Sequence, residues 1–357
     1  MRGESCYAIE VHGTRVVLLN IIALLFLYTA LQIPLPEDSY VPLQYRLLPN
    51  FHGEEFRGRD VHSLISRQVF LFWRNTGETP ASFLQLAANL QPALFRLTLA
   101  GQPRQRQRRQ KLNISNQILL VMIWMRKYPH VDTVALLFDI DPTSVISIIY
   151  RTLPELWRYF RNQISWPSLA EWRGMIGNWP ELPFVVGVID ATPHEIYRPL
   201  SEPQRLFYSG HRHYHCLNTQ VIIDNEGNIR FLQAGFLGST DDALSYRLME
   251  QVGPGFNLDL PPNVRLLGDR GYPDDDCLLT PVRAGQMHLL GRRGRRQARK
   301  FNRALSKRRV KVEHVIKEVK TFKAVSQIWR LPCWLMPVCV ELATMLAQRR
   351  LKLFRRV

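Results

Sequence analysis

The sequence has few cysteines and no cysteine motif. Its five cysteines are odd in number and form no CxxC pair, which argues against a disulfide framework or a structural zinc site and indicates a reducing compartment. Internal repeats are also absent. The hydrophobic and charged fractions, 46% and 22%, exclude an intrinsically disordered chain. A length of 357 residues predicts about two domains.

Acidic residues are missing from three basic segments of the chain. Residues 104–111, 291–311 and 349–356 carry five, eleven and five cations and no acid. The whole chain has 47 Lys and Arg against 30 Asp and Glu, whereas outside these segments 26 basic residues face the same 30 acids. Solvated charged faces usually mix both signs. Such concentrated charge favours a polyanion as partner.

One long apolar run lies near the start of the chain. Residues 16–35 are apolar except for Asn20 and Gln32, and about 20 apolar residues are long enough to cross a bilayer. The flanking charges, Arg2 and Arg15 against Glu4 and Glu10, give no clear orientation signal. A helix buried against the rest of the protein is therefore favoured, and a membrane anchor is the minority alternative.

Three helices are predicted between residues 115 and 160. The first stops at Pro129, the second begins near Asp132, and the third begins at Asp141, an N-cap that proline follows. Two short helices joined by the tight turn 138–141 suit a helix-turn-helix, although an ordinary helical bundle has the same pattern. Polar residues of the third helix that are available for DNA are Thr143, Ser144, Ser147 and Arg151.

Strand patterns replace helical ones after residue 180. Residues 184–190 and 264–269 are apolar runs, and each of them ends in an aspartate. Between them, 216–224 and 229–236 flank an Asn-Glu-Gly-Asn turn and predict a hairpin. Helical spacing returns over 303–322. This order of elements predicts a mixed α/β domain.

The two strand-end acids, Asp190 and Asp269, can meet at one edge of the sheet if their strands are neighbours. A third acid, Glu313, lies beside the apolar stripe of the later helix and can face the same edge. Converging carboxylates repel one another unless divalent cations bind among them. Such a cluster with two Mg²⁺ or Mn²⁺ ions suits phosphodiester cleavage, whereas aspartate at strand ends is also common turn chemistry.

Several motifs of this region occur together in one order. The stretch 189–271 contains IDATPHEIYRP, FYSGHRHYHCLNTQVIID, GFLGSTDDA and LLGDRGY, and 301–313 reads FNRALSKRRVKVE. Over about 190–345 the chain resembles the DDE endonuclease family of PIF/Harbinger transposases, the nucleases derived from them, and related bacterial insertion-sequence transposases. The resemblance implies an RNase H-like fold with a mixed sheet, which an all-α helix-turn-helix region precedes.

The resemblance also implies roles for four carboxylates. Asp190, Asp269 and Glu313 match the three catalytic acids of the family's IDGT-like, LLGDxGY and RxxVE motifs. Asp242 matches a further acid, in a GSxHD motif, that is sometimes assigned to the metal site. The implied metal ligands are therefore these four residues, and the implied cofactor is Mg²⁺ or Mn²⁺, two ions per site.

Two positions depart from the family pattern. Asp241 stands where the family usually has His, and Ala191 stands where Gly is usual. The pair Asp241–Asp242 leaves open which of the two carboxylates contacts metal, and neither departure removes a core ligand. The side chains expected to bind DNA, besides those of the third helix, are Arg104, Arg106, Arg108, Arg109, Arg292, Arg293, Arg295, Arg296, Lys307, Arg308 and Arg309.

The sequence thus predicts a metal-dependent DNA endonuclease or transposase. The expected segments are 1–60 (apolar helix and linker), 61–111 (helices and basic arm), 112–165 (helix-turn-helix), 180–347 (nuclease) and 348–357 (basic tail). Expected partners are DNA, a second copy of the chain and, by resemblance, a Myb-like DNA-binding helper; the basic runs suit a nuclear address. The alternatives are a domesticated DNA-binding regulator with weak or lost nuclease activity and, less favoured, a membrane-anchored derivative.

Overall fold

A computed structural model describes residues 56–94, 110–249 and 258–354. The chain divides into two compact units: Met1–Phe160 with Pro332–Val338, and Arg161–Leu331 with Cys339–Val357. The apolar segment 16–35 and the arginines of the predicted basic arm, 104–109, lie outside the described residues.

The described part of the first unit is helical, as predicted. Its helices are α1 (Val61–Ile65), α2 (Val69–Thr76), α3 (Pro80–Leu94), α4 (Ile114–Lys127), α5 (Val131–Phe138) and α6 (Pro142–Phe160). The central helix is α4, whose residues from Asn116 to Met125 are all buried. The amphipathic α6 packs on it through an apolar stripe that includes Val145, Ile149 and Leu156.

The helices α4, α5 and α6 confirm the three predicted between residues 115 and 160. The carboxylate of Asp141 accepts a hydrogen bond from the Ser144 backbone N–H at 2.9 Å, so it caps α6 as expected. Asp139 ends α5 with a left-handed φ of 53°, a conformation that Asp tolerates better than most residues. The bend between α5 and α6 is 98°, within the ~90–120° of helix-turn-helix motifs.

Across the described ranges, no single helix has both the length and the apolar character needed to cross a membrane. Among the described helices, α5 and α6 taken together reach that length and apolarity, and the chain bends sharply between them.

The second unit is built on a mixed β-sheet. Its described strands are β1 (Val185–Glu195), β2 (Tyr208–Ser209), β3 (Tyr214–Asp224), β4 (Ile229–Leu237), β5 (Arg265–Leu267) and β6 (Leu278–Leu279). Its helices are α7 (Leu169–Gly174), α8 (Gln204–Phe207), α9 (Asp242–Arg247), α10 (Ala284–His288) and α11 (Arg292–Val319), and α12 (Met336–Phe354) belongs to it from Cys339 onward. The central order of strands is β4-β3-β1-β5-β6, and β2 also pairs with β3.

Strand directions follow the predicted order of elements. The strands β1, β3 and β4 are antiparallel neighbours, and the predicted hairpin over 216–236 is the β3–β4 pair. The strands β5 and β6 continue the sheet in parallel with β1. This arrangement, with helices before and after it, confirms the predicted α/β, RNase H-like class.

Both faces of the central strands are buried, which is why 184–190 reads as a continuous apolar run. Val185 and Val188 pack with Leu305, Val312 and other residues on the α11 side. On the opposite side, Val186 and Ile189 pack in a second core cluster that includes Trp172 of α7. The sheet therefore fixes β1 between two cores, and Asp190 follows directly after this buried stretch.

Gly187 is required for the close approach of β1 and β3. A Cβ at this position would lie 2.2 Å from the carbonyl oxygen of Ile223 and 3.0 Å from Cδ2 of Leu266. Since backbone cannot yield easily, we expect Gly187→Ala to lower the free energy of unfolding by about 1–3 kcal/mol or more. Urea denaturation measures the change.

The matched control is Gly174→Ala, because a Cβ at Gly174 would meet no atom within 4 Å. We expect that control to change stability by less than about 0.5 kcal/mol. Equal effects of the two substitutions would contradict the steric explanation.

Residues 348–354 of the predicted basic tail, 348–357, are helical. The helix α12 continues to Phe354, and Gln348 and Arg350 are buried. Gln348 accepts a hydrogen bond from the backbone N–H of Ile229, and Arg350 pairs with Glu318 at 2.6 Å. The segment was predicted as a basic tail, and within it Arg350 forms its ion pair inside the second unit.

Candidate active site

Asp190 occupies the middle of the sheet, although the strand does not end there. The strand β1 continues to Glu195 because it stays paired with β3, where Asp190 lies opposite Val221. On its other side β5 stops at Leu267, which pairs with Val188. Asp190 thus lies just beyond the end of its parallel neighbour, at the position where an open α/β sheet forms a crevice.

Asp269 and Asp242 reach the same crevice from two other segments. Asp269 follows β5 by two residues, and its carboxylate accepts a hydrogen bond from the Gly271 backbone N–H at 2.6 Å. Asp242 is the first residue of α9. A Cβ built on Gly271 would lie 2.8 Å from Asp242 Oδ2 and 3.0 Å from Asp269 Oδ1, so the two carboxylates flank this glycine.

Tyr272 lies beneath the three aspartates. Its ring is fully buried, and its hydroxyl donates a hydrogen bond of 2.6 Å to Oε1 of Gln220 on β3. Burial raises the pKa of the Tyr272 phenol well above its usual range, and the charges of Asp242, Asp190 and Asp269 raise it further. The phenol therefore stays neutral and links β3 to the loop after β5.

The surroundings of Asp190 disfavour the charged form of its carboxylate. Its side chain is 16% exposed, and burial raises its pKa to about 6. The Arg309 guanidinium and the Ala191 N–H oppose that shift, whereas the carboxylates of Asp269 and Asp242 add to it. Burial and the Asp269 carboxylate likewise raise the pKa of Asp242.

Glu313 lies on α11 and reaches the aspartates through an arginine. Its side chain is 58% exposed, and its Oε1 lies 4.0 Å from Nη2 of Arg309. The same Nη2 lies 3.5 Å from Oδ2 of Asp190. Arg309 and Glu313 are four residues apart and so share one face of the helix. The guanidinium consequently stands between the first and the last of the predicted catalytic acids.

The four carboxylates predicted to bind metal do not all come together around one point in this arrangement. In the parts of the chain that the structure describes, no group of three or more His, Cys, Asp or Glu side chains is placed to hold one ion. The physical reason at Glu313 is its contact with Arg309. The donor chemistry nonetheless fits Mg²⁺ or Mn²⁺, since carboxylate oxygens are their preferred ligands and a cation would offset the repulsion at Asp190.

Substitution of Gly271 tests whether Asp242 and Asp269 hold a metal ion together. The added methyl group of Gly271→Ala would displace the carboxylates of Asp242 and Asp269. Disturbing groups that orient metal ligands typically costs about 10–100-fold in metal affinity, so we expect a loss of that size in Mn²⁺ binding, measured by electron paramagnetic resonance.

The control for this substitution is Gly285→Ala, because a Cβ there would meet nothing within 4 Å. It should leave Mn²⁺ binding at the wild-type value. Unchanged Mn²⁺ affinity in Gly271→Ala would show that these two carboxylates do not hold the ion together.

The predicted DNA-binding cations of the second unit lie on α11. This helix has 28 residues and so extends about 42 Å. Arg292, Arg293, Arg295 and Arg296 are exposed or half-buried near its start. Lys307 is 70% exposed and lies 3.8 Å from Glu181.

Arg308 differs from the other predicted DNA contacts of α11. Its guanidinium bonds to Glu181 and lies over the ring of Trp179, 5.5 Å from the ring centroid. Trp179 belongs to the core between the sheet and α11. Arg308 thus links α11 to the segment before β1 through its contacts with Trp179 and Glu181.

The predicted DNA contacts of the first unit are placed along α6. Ser147 and Thr143 are exposed. The hydroxyls of Thr143 and Ser144 bond to the Asp141 carboxylate, and Arg151 donates a hydrogen bond to Gln117 of α4. The cap and the bundle thus engage three of the four predicted side chains, and Ser147 is the most available for a partner.

Two contacts at this site were not predicted from the sequence. One is the ion pair of Arg309 with Asp190, since Arg309 was assigned to DNA alone; its four-residue spacing from Glu313 was the available signal. The other is the hydrogen bond between Tyr272 and Gln220, for which no local pattern exists because 52 residues separate the partners.

Comparisons with known proteins agree with this geometry. Residues 189–347 match the model of the family described as DDE superfamily endonuclease. The chain is 26% identical over 227 residues to a probable transposase for insertion sequence element IS702 from Microchaete diplosiphon, covering 62% of this chain and 75% of that protein. No solved structure matches the chain significantly. Residues 189–347 are therefore similar to a DDE superfamily endonuclease domain.

Proposed function

We propose that this protein is a metal-dependent DNA endonuclease of the Harbinger transposase type. The observation that carries the proposal is the meeting of Asp190, Asp242 and Asp269 from three separate segments around Tyr272. Nothing in the packing of the sheet requires three acids at this point, and their mutual repulsion disfavours it. All three lie inside the match to the endonuclease family.

In this proposal Asp190, Asp242, Asp269 and Glu313 hold two divalent cations. Bound Mg²⁺ or Mn²⁺ supplies activation of the attacking oxygen and stabilisation of the charge that develops at the phosphate. The residues of the chain differ in what they contribute. Asp190 is fixed by β1, and Asp269 is oriented by the Gly271 N–H. Glu313 is exposed on α11, so it can approach once its contact with Arg309 opens.

The same proposal assigns the exposed cations of α11 to DNA phosphates. The helix leads from its basic start directly to Glu313, so a duplex lying along it is brought to the carboxylates. The bend of 98° between α5 and α6 supports a helix-turn-helix in the first unit, with Ser147 and Thr143 on its exposed side. A Myb-like helper remains part of the proposal through the resemblance, a nuclear address through the basic runs of the sequence, and a second copy of the chain as an expected partner.

The second candidate is a transposase-derived DNA-binding regulator with weak or lost nuclease activity. The open carboxylate cluster and the ion pair of Arg309 with Asp190 favour it. Both candidates require DNA binding, and only the first requires cleavage.

Cleavage of a supercoiled plasmid separates the two candidates. The wild type should nick the plasmid with Mg²⁺ or Mn²⁺ and stop when EDTA is added. Glu313→Gln, purified in parallel, controls for contaminating nuclease. Binding without cleavage by the wild type, also after addition of nuclear extract as a source of helper protein, would replace the nuclease by the regulator.

A further inference from the structure

Arg309 is held loosely between two carboxylates. Its Nη2 lies 3.5 Å from Asp190 and 4.0 Å from Glu313, longer than charge-assisted hydrogen bonds of ~2.7–2.9 Å. Its Nε is buried and has no hydrogen-bond partner among the described residues. A buried donor without a partner calls for an explanation. The guanidinium therefore neutralises the acids while part of its hydrogen-bonding capacity stays unused.

The position of Arg309 competes with metal. Asp190 and Glu313 are two of the four residues to which the proposed function assigns the cations. A guanidinium beside them and a divalent ion bound to them repel each other, since both are positive. Arginine is permanently charged, so it can give way only by moving its side chain.

A pocket next to the acids offers that side chain a second position. Its volume is about 250 Å³, and Arg309 lines it together with Asp269, Arg270, Asn302 and Ser306. Asn302, Ser306 and Arg309 follow at spacings of four and three residues and so share a face of α11. Two guanidinium groups and a hydroxyl in the wall of the pocket attract an anion, whereas the Asp269 carboxylate in the same wall opposes one until a cation binds to it.

The walls of this pocket are fixed by backbone contacts. The Asn302 amide donates to the carbonyl of Val282 at 2.9 Å and accepts from the N–H of Val282 at 3.0 Å. Arg283 donates to the carbonyl oxygen of Arg270 at 3.1 Å. These contacts tie α11 to the loop after β6, and that loop to the one after β5. An anion entering the pocket would therefore meet a preformed site beside Asp269.

We infer that Arg309 is a displaceable counter-ion with two positions. Before metal binds, it neutralises Asp190 and Glu313; in the metal-loaded protein it turns within the pocket and binds a backbone phosphate of DNA beside the cleaved bond. The inference rests on the proposed function for the identity of the metal ligands. Metal binding and DNA binding are coupled in this way, because metal binding frees the Arg309 guanidinium to contact a DNA phosphate.

The first test measures Mn²⁺ binding without DNA, by electron paramagnetic resonance of the free ion. A neighbouring charge shifts the proton affinity of a carboxyl group by about 1–3 pKa units, so Arg309→Gln should bind Mn²⁺ about tenfold more tightly than the wild type. Arg309→Lys keeps the charge and should stay close to the wild type. Arg303→Gln, a neutralised exposed cation of the same helix, should bind Mn²⁺ as the wild type does.

The second test measures affinity for a random-sequence 30-base-pair duplex in Ca²⁺ and in EDTA. Arg309→Gln should lose more affinity relative to the wild type in Ca²⁺ than in EDTA. Arg303→Gln should lose the same factor in both conditions, because no contact of Arg303 depends on metal.

Two results would overturn the inference. One is weaker Mn²⁺ binding by Arg309→Gln with an unchanged melting temperature, which would make Arg309 a support for the acids. The other is an equal loss of DNA affinity in Ca²⁺ and EDTA. Asp190→Asn separates this failure from failure of the proposed function: if that variant keeps the Mn²⁺ affinity of the wild type, the carboxylate site itself is wrong.

Discussion

Substitution of Asp190 by asparagine is expected to reduce the rate of metal-dependent DNA cleavage by on the order of 10³-fold. Metal ions supply several kcal/mol of stabilisation to the charge that develops at a phosphate, and each ~1.4 kcal/mol corresponds to a factor of ten in rate. Asp190 is the most central of the converging acids, since β1 is paired on both of its sides. The rate of plasmid nicking in Mg²⁺ measures the effect.

Stability measurements distinguish lost chemistry from lost structure. The pKa of Asp190 is raised to about 6 by burial and by Asp269 and Asp242, which means that the folded protein disfavours its charged form. At pH 7, above that pKa, the ionised carboxylate weakens the fold relative to a neutral side chain. Asp190→Asn should therefore unfold at the same temperature as the wild type or at a higher one.

Asp241→Asn is the matched control. The Asp241 carboxylate caps α9 by accepting a hydrogen bond from the Leu244 N–H at 2.7 Å, and asparagine caps helices about as well as aspartate. Cleavage by this variant should stay within about twofold of the wild type, because its capping contact is kept. If Asp241→Asn abolished cleavage and Asp190→Asn did not, the roles assigned to the acids would be wrong.

The fold of the second unit was predictable because each element carries a local signal. The run 184–190 reads as a strand because residues 185–189 are buried on both faces, and the turn at 225–228 joins two apolar segments. Asp141 followed by proline likewise set the start of α6. Such signals depend only on residues that are neighbours in the sequence, and the tertiary packing of this protein favours the same helices and strands.

The end of β1 was not predictable from local sequence. An apolar run that stops at Asp190 suggests a strand end, yet pairing with β3 carries the strand on to Glu195. The start of α11 was missed for a related reason. Its first turns contain mainly basic residues and little apolar periodicity, and packing of Ala298 and Leu305 extends the helix back to Arg292.

Part of the site followed from motif order, and part from distances that no motif contains. The presence of Asp190 and Asp269 at a common edge could be expected once β1 and β5 were taken as neighbours. The insertion of Arg309 between Asp190 and Glu313 depends on how α11 is rotated against the sheet. That rotation is fixed by Leu305, Val312 and other core residues, whose packing appears only in three dimensions.

The second large effect is expected in the salt dependence of DNA binding, from a line of exposed arginines on α11. Arg296, Arg299 and Arg303 are exposed and follow at spacings of three and four residues, so they form one line on the helix. If each contacts a phosphate of duplex DNA, replacing all three by glutamine should lower the slope of log affinity against log salt by about 2.7, at roughly 0.9 per contact. Titration of a labelled duplex between 50 and 200 mM KCl measures this slope.

The same substitutions should weaken binding of every duplex, whatever its sequence, because phosphate contacts carry no base information. A matched triple, Arg173→Gln, Arg205→Gln and Arg247→Gln, removes the same charge from other exposed positions of the second unit. If the two triples changed the slope equally, net charge rather than a line of contacts would govern binding. A loss confined to the α11 triple would show that the duplex runs along the helix toward Glu313, which is the geometry that cleavage at the carboxylates requires.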